Sequence, residues 1–154
     1  MAKHASAVAL VAEGYQDLDF WYPVLRMQEA GFDVTVAGPD GQSPVHSGLG
    51  YPVIPHAGIS DAPSSADVVL IPGGSAGTAI AADTAMVDWV RRAHAAGGVI
   101  GSVGSGNRVT EAAGIADSKR IVSGTGTAQL PEYVGALVRQ LAAAESFTEE
   151  RRAQ

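Results

Sequence analysis

The sequence predicts an α/β fold, a three-layer sandwich in which helices cover both faces of a mostly parallel sheet. Three observations predict this fold. Short apolar runs rich in β-branched residues alternate with helical stretches along the chain. The runs at residues 7–12 and 68–71 are continuously apolar, as in strands buried on both faces. Glycine and proline turns separate the elements. Such alternation is typical of successive βαβ units.

The first elements follow from local pattern. Residues 7–12 (AVALVA) predict a buried strand, and residues 17–30 predict a helix that Gly31 ends. Residues 32–37 (FDVTVA) alternate between apolar and polar side chains, which predicts a second strand. The turn residues at 38–41 (GPDG) end it.

The middle of the chain begins with a less regular segment. Residues 43–59 predict a hairpin or an irregular excursion, because their prolines disfavour a central strand. Residues 68–71 form the next buried strand, closed by Pro-Gly-Gly at 72–74. Residues 84–96 predict an amphipathic helix that the glycines at 97–98 end. Its predicted inner stripe is Met86, Val87, Val90 and Ala93.

The last third predicts a strand at 99–103 and a short strand at 120–122. Residues 124–127 (GTGT) are predicted to be flexible, and a final helix is expected from about residue 131 to 144. The polar tail at 145–154 is expected to fray.

Composition limits the class of protein. A length of 154 residues predicts one domain, 1–154, with its core at about 6–144 and no linker or repeat. With 46% hydrophobic and 17% charged residues, the chain should be globular. A net charge of -6 argues against nucleic acid or an anionic membrane as partner. The absence of cysteine excludes disulfides, thiolate metal sites and thiol catalysis. The apolar run near the start is too short for a signal peptide or membrane span, so a cytoplasmic protein is expected.

Three loops should meet at the carboxyl edge of the predicted sheet: residues 13–19, 72–76 and 104–108. The third follows a buried strand and opens a helix, which is the layout of a nucleophile elbow. Its tip reads Val103-Gly104-Ser105-Gly106, so Gly104 stands where a nucleophile is expected.

Five segments together resemble the ThiJ/PfpI superfamily. They are residues 7–12, EGYQDLDFWYP (13–23), QEAGFDVTVAGPDG (28–41), ADVVLIPGG (66–74) and GSVGSGNRVTEAAGI (101–115). The resemblance covers about residues 6–116. It implies a class I glutamine-amidotransferase-like, flavodoxin-like fold and a homodimer.

The resemblance also implies a site with its nucleophile missing. The family elbow reads roughly Ile-Cys-His-Gly-Pro, and its last four positions fall on Gly104, Ser105, Gly106 and Asn107. The family acid that bonds to the cysteine falls on Asp19, and a second acid falls on Gln16. Residues 116–130 replace a longer family segment and lack its loop histidine. The pocket is therefore expected to be more open, or completed by a second subunit.

Asp19 is the predicted catalytic residue, a general acid/base facing the space vacated at Gly104. A pocket lined by Tyr15, Phe20 or Trp21 would raise its pKa toward a useful range. The simpler alternative is a solvated carboxylate near a helix N-terminus.

The remaining candidates are backbone and polar groups. The amides of Gly74 and Ser105 are predicted to form an oxyanion or anion site, although such glycines also serve tight turns. A Ser105 nucleophile is disfavoured because the pattern is not G-x-S-x-G, and a helix-capping hydroxyl is the simpler interpretation. Asn107 and Arg108 are positioned for a substrate carbonyl or carboxylate, and Arg108 equally suits a surface charge.

No metal or cofactor is expected. The histidines at positions 4, 46, 56 and 94 are scattered without metal-ligand spacing, and 46 and 56 suit either a pocket or the surface. Neither G-x-G-x-x-G nor a P-loop follows the first strand.

Two functions remain open. The first is a cofactor-free enzyme acting on a small carbonyl-type metabolite, by hydration, isomerisation, hydrolysis or oxygen-dependent chemistry. The alternative is a non-catalytic protein that binds a small molecule or a protein partner through the same pocket.

Overall fold

A computed structural model describes residues 4–154, without the side chains of 146–148. Its strands are β1 (Ser6–Leu10), β2 (Asp33–Gly38), β3 (Val45–His46), β4 (Pro52–Val53), β5 (Ala57–Gly58), β6 (Val68–Ile71), β7 (Val99–Val103) and β8 (Ile121–Gly124). Its helices are α1 (Asp17–Glu29), α2 (Ser75–Ala82), α3 (Thr84–Ala95), α4 (Asn107–Ala112) and α5 (Leu130–Arg152). Residues 1–3 of the predicted domain lie outside the described residues.

Six of these strands form one parallel sheet in the order β5-β2-β1-β6-β7-β8. The predicted mostly parallel sheet is therefore confirmed. Ala9 of β1 is paired with Val36 on one side and Leu70 on the other, which places β1 inside the sheet. The β1 and β6 side chains are almost all buried, as their continuous apolar runs predict.

Two helical layers flank the sheet. Helix α1 contacts α5, whereas α2, α3 and α4 contact one another. Asp83 caps the N-terminus of helix α3, because its side chain accepts a hydrogen bond from the Met86 amide. The predicted inner stripe of α3 is buried, together with Trp89. The three-layer sandwich is thus confirmed.

Two elements were not predicted. Helix α2 lies directly after the Pro-Gly-Gly turn, and its small residues carry little amphipathic pattern. Strand β5 extends the sheet beyond β2, a position at the sheet edge that tolerates the proline at residue 55 just before it. The predicted hairpin in residues 43–59 is present as the antiparallel pair β3–β4.

One prediction near the C-terminus is wrong. The tail does not fray, because α5 continues to Arg152 through a stretch rich in alanine, glutamate and arginine, which are strong helix formers. The predicted flexibility of residues 124–127 stays a prediction, and Thr125 and Gly126 lie outside helices and strands. Gly124 ends β8 and Thr127 begins a turn of 3-10 helix, Thr127–Gln129.

Among the described residues, no helix has the length and apolar character to cross a membrane.

Candidate active site

The carboxyl ends of β1, β6 and β7 bring the three predicted loops together. The Gln16 amide donates to the Gly73 carbonyl at 3.1 Å, which ties the loop after β1 to the loop after β6. The Ser105 hydroxyl donates to the Gly74 carbonyl, which ties the loop after β6 to the elbow after β7. The predicted convergence of the loops is therefore a feature of the fold.

Asp19 sits in the first turn of α1 and points inward. Gln16 caps this helix, because its side-chain oxygen accepts from the Asp19 amide at 2.8 Å. The Asp19 side chain is only 6% exposed. Its Oδ1 accepts a hydrogen bond from the Thr127 hydroxyl at 3.0 Å, and the Gly73 amide donates to the same carboxylate. The alternative of a solvated carboxylate at a helix start is wrong.

Burial raises the pKa of Asp19 above its usual range. Hydrogen bonds from Thr127 and Gly73 lower the pKa of the carboxyl and offset part of that effect. No charged side chain contributes to this pKa shift among the described residues. Asp19 is therefore a carboxyl group whose ionised form is disfavoured, as a general acid/base requires.

Tyr133 of α5 lies beneath the site. Its side chain is 3% exposed, and a Cβ on Gly101 of β7 would overlap its hydroxyl. Burial, together with the charge of Asp19, raises the pKa of Tyr133. The phenol therefore stays neutral beside the carboxyl group.

The elbow keeps its backbone geometry without a nucleophilic side chain. Gly104 has a φ of +55°, in the left-handed region that favours glycine. A Cβ built on Gly104 would lie 3.9 Å from Asp19 Oδ2, 3.9 Å from the Gly73 Cα and 3.9 Å from the Thr125 carbonyl oxygen. These are ordinary van der Waals distances, so a Cβ would fit at this position opposite the carboxyl group.

Close packing of glycines holds the elbow in place. A Cβ on Gly77 of α2 would lie 2.5 Å from the Ser105 carbonyl carbon and 2.6 Å from the Gly106 amide. A Cβ on Gly106 would lie 2.7 Å from the Pro72 carbonyl oxygen. Neither position can hold a side chain without moving backbone.

The polar groups of two predicted binding residues serve the fold instead. Tyr15 is fully buried, and its hydroxyl donates to the Tyr51 carbonyl at 2.8 Å. Its ring lies 5.1 Å from the ring of Phe20, which is also in the core. Gln16 caps α1 and occupies the position that the resemblance gives to a second acid. Trp21 is partly exposed.

The polar residues of the elbow helix are also occupied. Asn107 Oδ1 accepts from the Ser102 hydroxyl at 2.6 Å, and its Nδ2 donates to the Gly124 carbonyl at 3.1 Å. Asn107 thus links β7 to the end of β8, and its binding of a substrate carbonyl stays a prediction. Arg108 is exposed and lies 3.4 Å from the Thr78 hydroxyl.

Of the two predicted oxyanion donors, the structure places one, the Ser105 amide, near the carboxyl group. A Cβ on Gly73 would lie 3.6 Å from the Ser105 amide nitrogen and 2.5 Å from Asp19 Oδ2, so this amide is near the carboxyl group. Gly74 has φ +80° and ψ -169°, a conformation that glycine alone adopts readily. Its amide as a second donor stays a prediction. The Ser105 hydroxyl does not cap the elbow helix as expected, since it bonds to Gly74.

The histidines lie outside this cluster. His56 accepts from the Val36 amide at 2.8 Å, His46 Nδ1 is 3.4 Å from a Glu13 carboxylate oxygen, and His94 bonds to Ser118 at 2.7 Å. In the described part of the chain, no three His, Asp or Glu side chains are grouped to hold a metal ion.

Sequence reasoning missed Thr127 and Tyr133. Thr127 lies in the shortened connection of residues 116–130, where the resemblance predicted only a missing histidine. Thr127 ends the run Gly-Thr-Gly-Thr at 124–127, and that run predicts flexibility rather than a contact. Tyr133 also lines a cavity of about 270 Å³ between β8 and α5, together with Glu132 and Arg139.

A nucleophile elbow beside a buried carboxyl group, at the carboxyl edge of a parallel sheet, defines a class of flavodoxin-like α/β proteins. Residues 5–150 match the DJ-1/PfpI family, and the chain belongs to that family. It is a member without cysteine.

Named relatives agree with this assignment. Protein dj-1beta of Drosophila melanogaster is 28% identical over 120 residues, which are 77% of this chain and 64% of the relative. The Parkinson disease protein 7 homolog of Danio rerio is 29% identical over 123 residues, 78% of this chain and 65% of the relative. These matches span slightly less than two thirds of either relative's length. The crystal structure of Drosophila melanogaster DJ-1beta superposes with a TM-score of 0.81 at 21% identity, covering 98% of this chain and 97% of that chain, which shows the shared fold.

Proposed function

We propose that this protein is a cofactor-free enzyme in which Asp19 acts as general acid/base on a small, neutral carbonyl compound. One observation carries the proposal. A carboxyl group that is 6% exposed, with its pKa raised by burial, faces the glycine that occupies the nucleophile position. Titratable groups perturbed in this way are concentrated at functional sites.

The chemistry that this arrangement supports is proton transfer. The Asp19 carboxylate takes a proton from the substrate, and the resulting carboxylic acid returns it to another atom or to a product oxygen. The Ser105 amide, which lies near the carboxyl group, would stabilise a developing oxyanion. A substrate atom would occupy the space beside Gly104, where relatives with a nucleophile have a side chain.

The charges around the site favour a neutral substrate. Within the part of the chain that the structure describes, no cationic side chain contributes to the pKa of Asp19, and Arg108 is directed to Thr78 at the surface. A substrate carboxylate or phosphate would therefore meet a carboxyl group without a compensating charge.

A homodimer forms part of the proposal. Exposed apolar side chains follow the outer face of α1 at Leu18, Trp21 and Leu25, and continue on the neighbouring segment at Leu49, Tyr51 and Ile54. The segment that carries Tyr51 is held close to the start of α1, because the Tyr15 hydroxyl donates to the Tyr51 carbonyl. Exposed apolar side chains on two adjacent segments suit a two-fold interface. A second copy placed here would lie close to the first turn of α1, which carries Asp19.

The activity is tested with the wild-type protein and a panel of small neutral aldehydes, ketones and enolisable carbonyls. Each is followed by NMR in deuterated buffer, because proton transfer introduces deuterium even when the net reaction is slow. We expect deuterium incorporation or product from at least one neutral compound, and none from its carboxylate analogue. Asp19→Asn is the matched control and should abolish the exchange. Exchange that persists in Asp19→Asn would contradict the proposal.

The alternative function makes a different prediction in the same experiment. A non-catalytic binding protein would shift the NMR signals of a compound without turnover or exchange, in wild type and Asp19→Asn alike. The exposed apolar surface beside the site is the observation that favours this alternative, because it also fits a protein partner.

The dimer is tested by light scattering at micromolar concentration. The double variant Leu18→Glu/Leu25→Glu places two charges on the proposed interface, so we expect a monomer. Val138→Glu is the control, because Val138 is similarly exposed but lies on α5. A monomeric wild type would refute the proposed dimer, and a dimeric double variant would refute this interface.

A further inference from the structure

The shortened connection between α4 and α5 contributes a side chain to the buried carboxyl group. The Thr127 hydroxyl donates to Asp19 Oδ1 at 3.0 Å across 108 positions of sequence. We call residues 124–127 the strap. The first two residues of the strap are anchored, since the Gly124 carbonyl accepts from Asn107 Nδ2 and the Thr125 amide donates to Gln129 Oε1 at 3.2 Å.

This hydrogen bond makes the two carboxyl oxygens of Asp19 different. Oδ1 is held by Thr127, whereas Oδ2 is the oxygen that lies 3.9 Å from a Cβ built on Gly104. A hydroxyl that donates to Oδ1 favours placing the proton of the neutral acid on the other oxygen. Oδ2 also lies close to the Gly73 backbone, since a Cβ built on Gly73 would be 2.5 Å from it, and a backbone hydrogen bond from Gly73 lowers the pKa of the carboxyl group. A carboxylate oxygen can accept more than one hydrogen bond.

We propose that Thr127 is a positioning residue: its hydrogen bond to Oδ1 directs Oδ2, the oxygen that exchanges the proton, toward the space at Gly104. The inference rests on the proposed function of Asp19. It assigns to the strap a task beyond closing the chain between two helices. The strap then selects substrates that present their exchangeable proton on the Gly104 side of the carboxyl group.

The groups that face Asp19 come from three elements. Thr127 belongs to the strap, Gly73 to the loop after β6, and Tyr133 to α5, where the charge of Asp19 acts on its phenol. Of these, Tyr133 is the titratable group, and burial keeps its phenol neutral. A change in the titration of Asp19 after substitution of Thr127 can therefore be assigned to the lost hydrogen bond.

The first experiment needs no substrate. The carboxyl carbon of Asp19 is titrated by NMR in wild type, Thr127→Val, Thr127→Ser and Thr78→Val. Thr127→Val keeps the side-chain shape and removes the donor, so the measured pKa of Asp19 should rise by roughly one, the scale of one hydrogen bond to a carboxylate. Thr127→Ser keeps a hydroxyl and should titrate like wild type. Thr78→Val removes an exposed hydroxyl on α2 and should also titrate like wild type.

The second experiment uses the substrate found by the exchange assay. Thr127→Val should lower kcat by roughly tenfold, move the pH profile in the same direction as the NMR titration, and leave KM nearly unchanged, because it acts through Asp19. Thr127→Ser should restore most of kcat. A merely structural role would lower the folded fraction without moving the pH profile.

The outcomes separate the two proposals. If Asp19 titrates identically in wild type and Thr127→Val, the positioning role is refuted, whatever Asp19 does in catalysis. If Asp19→Asn keeps full exchange activity, the proposed function is refuted. The positioning role is then refuted as well, even if Thr127→Val changes the measured pKa of Asp19. A shifted titration, a shifted pH profile and rescue by serine together support the inference.

Discussion

Two loops at the same sheet edge keep different parts of an active site. The elbow after β7 retains the left-handed backbone of a nucleophile position, but a glycine stands there. The loop after β1 leads to the side chain that we propose to be catalytic, a buried carboxyl group in the first turn of α1. The elbow thus has the backbone conformation of a nucleophile position but no side chain there. The loop after β1 leads to a carboxyl group that the fold holds in a buried position.

The difference shows what maintains each loop. Close packing requires glycine at and beside the elbow, because a Cβ on Gly77 or on Gly106 would overlap neighbouring backbone atoms. Asp19 is not maintained by packing, because burial raises its pKa and its ionised form weakens the fold. A structural core has no need of such a group, so its presence points to chemistry at Asp19.

The largest expected effect is a loss of turnover when the carboxyl group of Asp19 is replaced. Asp19→Asn should leave the fold intact and lower turnover by about a hundredfold or more, the usual scale for loss of a general acid/base. Gly104→Cys should not enhance the native reaction, because sulfur would fill the space assigned to substrate. Both are measured as kcat/KM with the compound found by the exchange assay. Higher turnover in Gly104→Cys would show that the elbow still lacks a group it needs.

The next effect tests packing at the elbow. Gly77→Ala should lower the free energy of unfolding by about 2–3 kcal/mol, the range for overpacking a tight core, because its Cβ would press on Ser105 and Gly106. Gly135→Ala in α5 is the matched control. Its Cβ meets only the flexible Arg139 side chain at 3.4 Å, so it should be neutral or stabilise by about 0.5–1 kcal/mol. Urea denaturation measures both, and equal stabilities would contradict the packing argument.

A smaller effect separates strain from crowding at the nucleophile position. Gly104→Ala should cost about 1–2 kcal/mol, the penalty for an ordinary residue in the left-handed region. Gly114→Ala should cost the same, because Gly114 has a φ of +71° and no atom within 4 Å of its Cβ. A clearly larger loss in Gly104→Ala would show that the space beside Asp19 is filled.

The smallest effect is the pH dependence of stability. The folded-state pKa of Asp19 is raised, so the stability that its neutral form provides is complete below the unfolded pKa, about 3.9. That stability is lost as pH rises through the folded pKa. Asp19→Asn should therefore gain stability relative to wild type over this window and keep the gain at neutral pH. Asp40→Asn, at an exposed turn, controls for removal of one negative charge. If the stability difference between Asp19→Asn and wild type became smaller as the pH rises, the raised pKa would be contradicted.

Much of the fold could be predicted from the sequence, because the patterns that specify its strands and helices are local. The apolar runs of β1 and β6, the amphipathic stripe of α3 and the glycine after α1 each determine an element within a few residues. Helix α2 escaped notice because its stabilising contacts are with α4 and the elbow, and its small residues give no periodic pattern. Strand β5 is only two residues long and depends on β2 for its pairing.

The candidate site also combines features that depend on local sequence with features that depend on contacts between distant residues. The sequence by itself determined the glycine at the elbow, the absence of any thiol and the presence of Asp19 in the first turn of a helix, because these depend on residue identity and local spacing. Only the tertiary structure decided that Asp19 is buried, that Asn107 and Tyr15 are occupied by backbone carbonyls, and that Thr127 holds Oδ1. The physical reason is range: burial and a hydrogen bond across 108 positions exist only after the sheet brings its loops to one edge.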